Sequence, residues 1–118
     1  MLLSLLIAIK PIETYRCMND ITVEELKQKM DAVADFIFID VREPYEYEEF
    51  NLGATLIPLG NLPAAIPDLM AHKESEIILH CRSGARSGSA KITMSQLGFT
   101  NVRNLLGGVL EWQRVFGR

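Results

Sequence analysis

Cysteine is scarce in this chain: Cys17 and Cys81 are the two in 118 residues. Two cysteines without a C-x-x-C pair exclude a disulfide-rich scaffold and a paired-cysteine zinc or dithiol site. Long apolar runs are missing too. The longest, at residues 1–9, falls far short of the about 20 residues that span a bilayer. There is no excess of positive charge, since 12 Lys+Arg stand against 15 Asp+Glu, for a net charge of −3 and a pI near 5.3. That balance argues against a nucleic-acid partner, whose binder is usually basic. It leaves room for one local basic loop to take a small anion. Internal repeats, low-complexity tracts and Gly/Ser linkers are absent, so one unit is expected. What remains is ordinary for a globular protein, 48% hydrophobic and 23% charged residues. Disordered, collagen-like and coiled-coil classes are excluded, and the chain is long enough to bury a core without disulfides or a structural metal.

Residues 1–9, Met-Leu-Leu-Ser-Leu-Leu-Ile-Ala-Ile, lack the basic leader and A-x-A-like cleavage site of an export signal. A docked arm or strand, or an upstream extension with Met18 as an alternative start, is preferred over a degenerate export signal. A cytoplasmic location is therefore expected, with the periplasm as the alternative if residues 1–9 act in export. Lys10-Pro11 ends the run, because the residue before proline is pushed out of the helical region. Residues 1–17 are read as an N-terminal extension or arm, and residues 18–118 as the domain.

Thr22-Val23-Glu24-Glu25 has the capping-box spacing and predicts a helix from Val23 to Asp31. Phe36 to Ile39 is an apolar run between aspartates, the pattern of a strand buried on both faces. Glu43-Pro44 opens an acidic helical turn through Glu49. Ala54 to Ile57 is a second short apolar run. Leu62 to Met70 has helical spacing, and Pro63 and Pro67 predict a short or broken helix. Glu76 to His80 is the next strand, Ser87 to Leu97 a helix stopped by Gly98, Asn101 to Leu105 the last strand, and Val109 to Phe116 the final helix. Strands alternating with helices predict an α/β domain with a mainly parallel sheet. Ligands of such sheets bind beyond the carboxyl ends of the strands, where Asp40 and Cys81 fall.

Cys81-Arg82-Ser83-Gly84-Ala85-Arg86-Ser87 therefore joins a strand to a helix. Such a loop can turn successive N–H groups inward as an anion nest, and the helix adds its positive end. Arg82 and Arg86 flank the sulfur, Gly84 lets the chain curl, and Ser83 and Ser87 offer hydroxyls. All of these favour thiolate over thiol, so Cys81 is expected to be a lowered-pKa nucleophile. The rival reading, an inert core thiol, is at odds with two arginines and two serines in seven residues. Cys17 has no such surroundings and reads as a bystander.

This loop resembles the active-site loop of single-domain rhodaneses, the thiosulfate sulfurtransferase family. Asp40-Val41-Arg42-Glu43-Pro44-Tyr45-Glu46-Tyr47 resembles the family's first signature. Gly53-Ala54 with Ile57-Pro58-Leu59 resembles the next segment, and Leu105-Leu106-Gly107-Gly108 with Trp112 the closing motif. The resemblance runs from about Ile21 to Trp112 and leaves residues 1–17 outside. Many members carry a Gly-His pair and one more residue before the Gly-Ala step; here Phe50-Asn51-Leu52 leads directly into Gly53.

The resemblance implies a three-layer rhodanese-like fold, a mainly parallel sheet with helices on both faces. It implies attack of Cys81 on the outer sulfur of thiosulfate or a related persulfide donor, with a Cys81 persulfide as covalent intermediate. The loop from Arg82 through Ser83, Gly84, Ala85 and Arg86 to Ser87 would hold donor and persulfide, with Arg82 and Arg86 receiving the anion. The acceptor would be a thiol, a cyanide-like nucleophile or a protein sulfur acceptor. No metal or organic cofactor, nucleic acid or membrane is required. Two rivals stand beside this reading. One is a sulfur carrier or interaction module, such as the terminal domain of E1-like adenylyltransferases. The other is a Cys-dependent phosphatase or arsenate reductase. Related phosphatases have five residues between cysteine and arginine, whereas Cys81 and Arg86 enclose four. One residue fewer shortens the path by about 3.8 Å, or on the order of 0.6 Å of loop radius. That suits one sulfur atom better than a tetrahedral phosphate.

Other residues have plainer readings. Asp40 and Arg42 are expected to support the site from the neighbouring strand, or else Arg42 pairs with Glu46 at i,i+4. His80 adjoins Cys81, but adjacent strand residues face opposite ways, so a packed strand residue is expected. His72 reads as surface, Trp112 as core, Gly107-Gly108 as a helix-entry turn, and the run Glu43, Glu46, Glu48, Glu49 as a solvated face.

Overall fold

The apolar runs pair side by side in a computed structural model that describes residues 19–118. Strands β1 (Ile37–Asp40), β2 (Thr55–Leu56), β3 (Ile77–His80) and β4 (Val102–Asn104) form one sheet in the order β2-β1-β3-β4, with every pair parallel. A parallel bridge from Ile21 to Leu105 adds a contact just beyond β4. The helices are α1 (Val23–Asp31), α2 (Pro44–Glu49), α3 (Leu62–Leu69), α4 (Ala85–Gln96) and α5 (Gly108–Phe116). The expectations for residues 1–17 and Met18, Cys17 among them, lie outside the described residues.

Local chemistry accounts for most of these bounds. Thr22 caps α1 by accepting the Glu25 N–H at 3.1 Å. Helix α2 starts on Pro44, whose missing N–H costs nothing in a first turn. Helix α3 is short, as expected, but not broken: Pro63 sits at its start and the helix continues through Pro67. Helix α4 starts at Ala85, two residues before the expected Ser87. The cause is Gly84, whose φ of +101° turns the chain directly from loop into helix.

Both faces of the sheet are covered, which is why β3 is buried throughout and apolar up to His80. Ile77, Leu79 and Cys81 face one cluster with residues of α3 and α4, including Leu62, Ala90 and Met94. Ile78 faces the other cluster with Val23 and Leu26 of α1, and Trp112 and Val115 of α5 pack on that side. The result is three layers, helices over a parallel sheet over helices.

The carboxyl end of the sheet is polar, although buried. Asp40 accepts from Arg42 Nε at 3.0 Å and from Nη2 at 2.8 Å. The same guanidinium donates to the backbone oxygens of Phe50 at 2.7 Å and Glu46 at 3.4 Å, and so closes the last turn of α2. Arg42 therefore holds the backbone of Glu46, and its charge partner is Asp40. The i,i+4 pair with the Glu46 side chain does not form, because the deeper Asp40 carboxylate is the better-matched partner. The Phe50-Asn51-Leu52-Gly53 segment needs no additional residue. Asn51 accepts the Gly53 N–H at 2.9 Å, and Gly53 takes a φ of +84° to close the turn.

His80 lies beside Asp40 by strand register, with Nε2 3.5 Å from Asp40 Oδ2, and it packs on the Phe38 ring. Burial drives its pKa down to about 4 against the smaller upward pull of Asp40, so it is neutral at pH 7. In the unfolded chain it titrates near 6.5. Between those values the unfolded state binds the additional proton, so stability falls as pH drops through this window. Urea unfolding is expected to lose on the order of 3 kcal/mol between pH 7 and pH 4 through His80. His80→Asn should flatten the curve above about pH 4.5, where carboxylates have yet to titrate; an unchanged slope would refute the assignment.

Candidate active site

Cys81 is the first residue after β3, and the loop that follows turns directly into α4. Its side chain is buried, but hydrocarbon does not seal it. The Gly84 N–H donates to Sγ at 3.1 Å, and the Ser87 N–H at 3.5 Å. Ser87 Oγ lies 3.4 Å from the same sulfur. Burial alone pushes the thiol pKa up. The Ser87 hydroxyl, the Ser87 amide and the amides of Gly84 and Ser83 together outweigh it, and the pKa lies below its ordinary value. The N-terminus of α4 adds its dipole on the same side.

The loop is held from behind by α5. Val109 N–H donates to the Cys81 carbonyl and Leu110 N–H to the Arg82 carbonyl, both at 3.0 Å. A trans peptide points its N–H opposite its carbonyl. Fixing these two carbonyls towards α5 therefore turns the Arg82 and Ser83 N–H groups the other way, and the Ser83 amide is among those that act on the sulfur. The close approach depends on Gly108, at which a Cβ would sit 2.5 Å from the Cys81 oxygen and 2.6 Å from the Arg82 oxygen. The Gly107-Gly108 pair is thus more than an entry turn.

The two arginines of the loop part company. Arg86 grips Glu46 of α2 with two hydrogen bonds, at 2.7 and 2.9 Å. This pairing pulls the Glu46 pKa down to about 2 and raises that of Arg86. Arg86 therefore ties α4 to α2 and does not stand free to meet an anion. Arg82 is exposed and borders a cleft of about 300 Å³ with Tyr45, Leu110, Gln113 and Arg118. Ser83 and Ala85 are exposed, and Ser87 is buried. Asp40 and Arg42 bond to one another and to α2, one strand away from the sulfur.

Asn104, the last residue of β4, escaped the sequence reading. Its Oδ1 accepts from Ser87 Oγ at 2.6 Å and its Nδ2 donates to the Gly84 oxygen at 3.1 Å. The signal was a polar side chain at a buried position of a strand. Among the described residues, no group of three or more His, Cys, Asp or Glu side chains is placed to hold a metal ion.

The rhodanese-like domain family matches residues 22–115. A sulfurtransferase of Allochromatium vinosum is 32% identical over 97 residues, covering 81% of this chain and 89% of the relative. YrkF of Bacillus subtilis, named as a candidate sulfur carrier protein, is 37% identical over 94 residues, covering 79% of this chain. The match takes in 50% of YrkF's own length. Among solved structures, the Rhodanese-like Domain Protein from Staphylococcus aureus superposes with a TM-score of 0.66 at 28% identity, covering 80% of this chain and 91% of that one.

The backing of the loop by α5 is open to a direct test. Gly108→Ala is expected to lower stability by about 1–3 kcal/mol in urea unfolding, because backbone must move to admit the methyl group. Gly98→Ala, at a φ of +103° and with nothing within 4 Å of an added Cβ, is the matched control and should cost only the backbone strain that the two positions share. Equal effects of the two would show that the contact between loop and helix is unimportant.

Proposed function

The chain belongs to the rhodanese-like domain family, and from that membership we propose that it carries sulfane sulfur from thiosulfate or a related donor to a thiophilic acceptor as a persulfide on Cys81. The observation that carries this reading is the convergence of the Gly84 and Ser87 donors on one buried sulfur. The Cys81 thiolate attacks the outer sulfur of the donor. The donor's S–S bond breaks and sulfite leaves with the electron pair. The negative charge now rests on the terminal sulfur of Cys81–S–S⁻, where the inward-facing amides stabilise it as an oxyanion hole would. A thiolate or cyanide acceptor then attacks that terminal sulfur, and the Cys81 thiolate is restored. The cycle is ping-pong and needs no external oxidant or reductant.

Of the loop's two arginines, Arg82 is the one open to an anionic donor, since its side chain is exposed while Arg86 is held by Glu46. Asp40 and Arg42 support the site by fixing α2, the helix that carries Glu46. The four residues between Cys81 and Arg86 favour a single sulfur atom over a phosphate. The resemblance to YrkF favours a second reading, a carrier that relays sulfur within a larger pathway. An enzyme turns over with free thiosulfate and cyanide, whereas a carrier loads stoichiometrically and turns over slowly.

Intact mass after exposure to thiosulfate tests the proposal. One sulfur, about 32 Da, should be gained by the wild type and not by Cys81→Ser, as covalent catalysis requires. No gain from several donors, or a gain that survives the substitution, would overturn it.

A further inference from the structure

The Ser87 hydroxyl has one proton and two neighbours that compete for it. Asn104 Oδ1 lies 2.6 Å away and Cys81 Sγ 3.4 Å away. The orientation of the Asn104 amide is not a free choice. The Gly84 carbonyl can only accept, so Nδ2 must face it, and Oδ1 must then face Ser87. A carboxamide oxygen also only accepts, so the hydroxyl proton lies between Ser87 and Asn104. A protonated Cys81 then meets the hydroxyl's lone pairs, whereas a thiolate competes with Asn104 for the proton.

The amide is firmly seated. The Asn104 N–H donates to Asp20 Oδ1 at 3.1 Å, and that carboxylate is also paired with Lys91 of α4. We propose that Asn104 is a positioning residue of this site: by claiming the Ser87 proton, it sets whether the hydroxyl meets Cys81 as acceptor or as donor. The inference deepens the reading of Cys81 as a sulfur acceptor and rests on that reading for its catalytic consequence.

The consequence follows from the charge on the sulfur. A thiol donates its proton to Ser87 Oγ while the hydroxyl donates to Asn104, so all three groups are satisfied. A thiolate needs the hydroxyl to turn towards it, which leaves the buried Asn104 oxygen without that donor. In the persulfide the charge has moved to the terminal sulfur, Sγ is neutral, and the hydroxyl returns to Asn104. Asn104 thus disfavours the empty thiolate relative to the loaded persulfide, against the steady pull of the backbone amides. Other charges near the sulfur stay the same throughout. Arg86 of α4 is tied to Glu46 of α2, and Arg82 is exposed on the loop. His80 of β3 faces the other side of the sheet beside Asp40 and Arg42, the Asp20–Lys91 pair lies behind Asn104, and Glu111 of α5 pairs with Arg114.

The test is the pH dependence of iodoacetamide alkylation at Cys81, followed by peptide mass in the full chain. Wild type, Asn104→Leu, Ser87→Ala and the double variant are compared. Asn104→Leu frees the hydroxyl for the sulfur, so its midpoint should fall by about half a unit, a roughly threefold gain in thiolate below the midpoint. In the Ser87→Ala background the same substitution should shift nothing. A purely structural Asn104 predicts the opposite sign, because a loosened loop lets the midpoint rise. A rise, no shift, or a shift that persists without Ser87 would overturn the proposal. Should the leucine variant fail to fold, Asn104→Ser, with a shorter side chain, makes the same comparison. The titration needs no sulfur donor. Failure of the wild type to form a persulfide would therefore count against the sulfurtransferase reading and not against this one.

Discussion

Two backbone hydrogen bonds hold the rest of the site in place. They run from the first turn of α5 to the carbonyls of Cys81 and Arg82. Without them the loop peptides are free to rotate, and a buried cysteine surrounded by rotating peptides is an ordinary core thiol. With them, the carbonyls are occupied on the α5 side and the amides are left for the sulfur. Gly108 allows the helix to come this close, and Gly84 lets the chain pass from loop to helix while its own N–H reaches Sγ. The parallel sheet brings these parts together, because β3 and β4 are neighbours and their carboxyl ends lie side by side.

The charged residues do different work. Burial opposes ionisation of Cys81, and hydrogen-bond donors without formal charge overcome it. The Arg42 guanidinium, paired with Asp40 of β1, holds the backbone at the end of α2, and the Arg86–Glu46 pair joins α2 to α4. Paired charges brace the walls, Arg86 adding its own charge to the field at Cys81, while dipoles bond the sulfur directly. Fixed dipoles favour the charged sulfur from within the loop itself.

Most of the fold was legible because its signals are local. The Thr22 cap, the buried run at Phe36 to Ile39, and the strand-loop-helix pattern around Cys81 depend on neighbours in sequence, and the elements appear within two residues of where those signals place them. The cysteine loop was legible for the same reason, since its amides belong to consecutive residues. What escaped depends on contacts across the chain. Arg86 read as an anion receptor because nothing in its own segment shows that Glu46, 40 residues earlier, would meet it. Asn104 read as one residue of a strand, and its role appears only when β4 is laid beside β3 and α4 is packed above. Gly107-Gly108 showed its turn locally, but the surface it must clear belongs to the loop of Cys81.

The account stands or falls on whether the amide cup holds an anion at Cys81. Ultraviolet thiolate absorbance, titrated with pH and taken as the difference between the wild type and Cys81→Ser, measures this without any substrate. A midpoint clearly below the free-cysteine value of about 8.5 is the predicted result. A midpoint at or above that value would mean that burial outweighs the inward-facing amides, and would contradict the account.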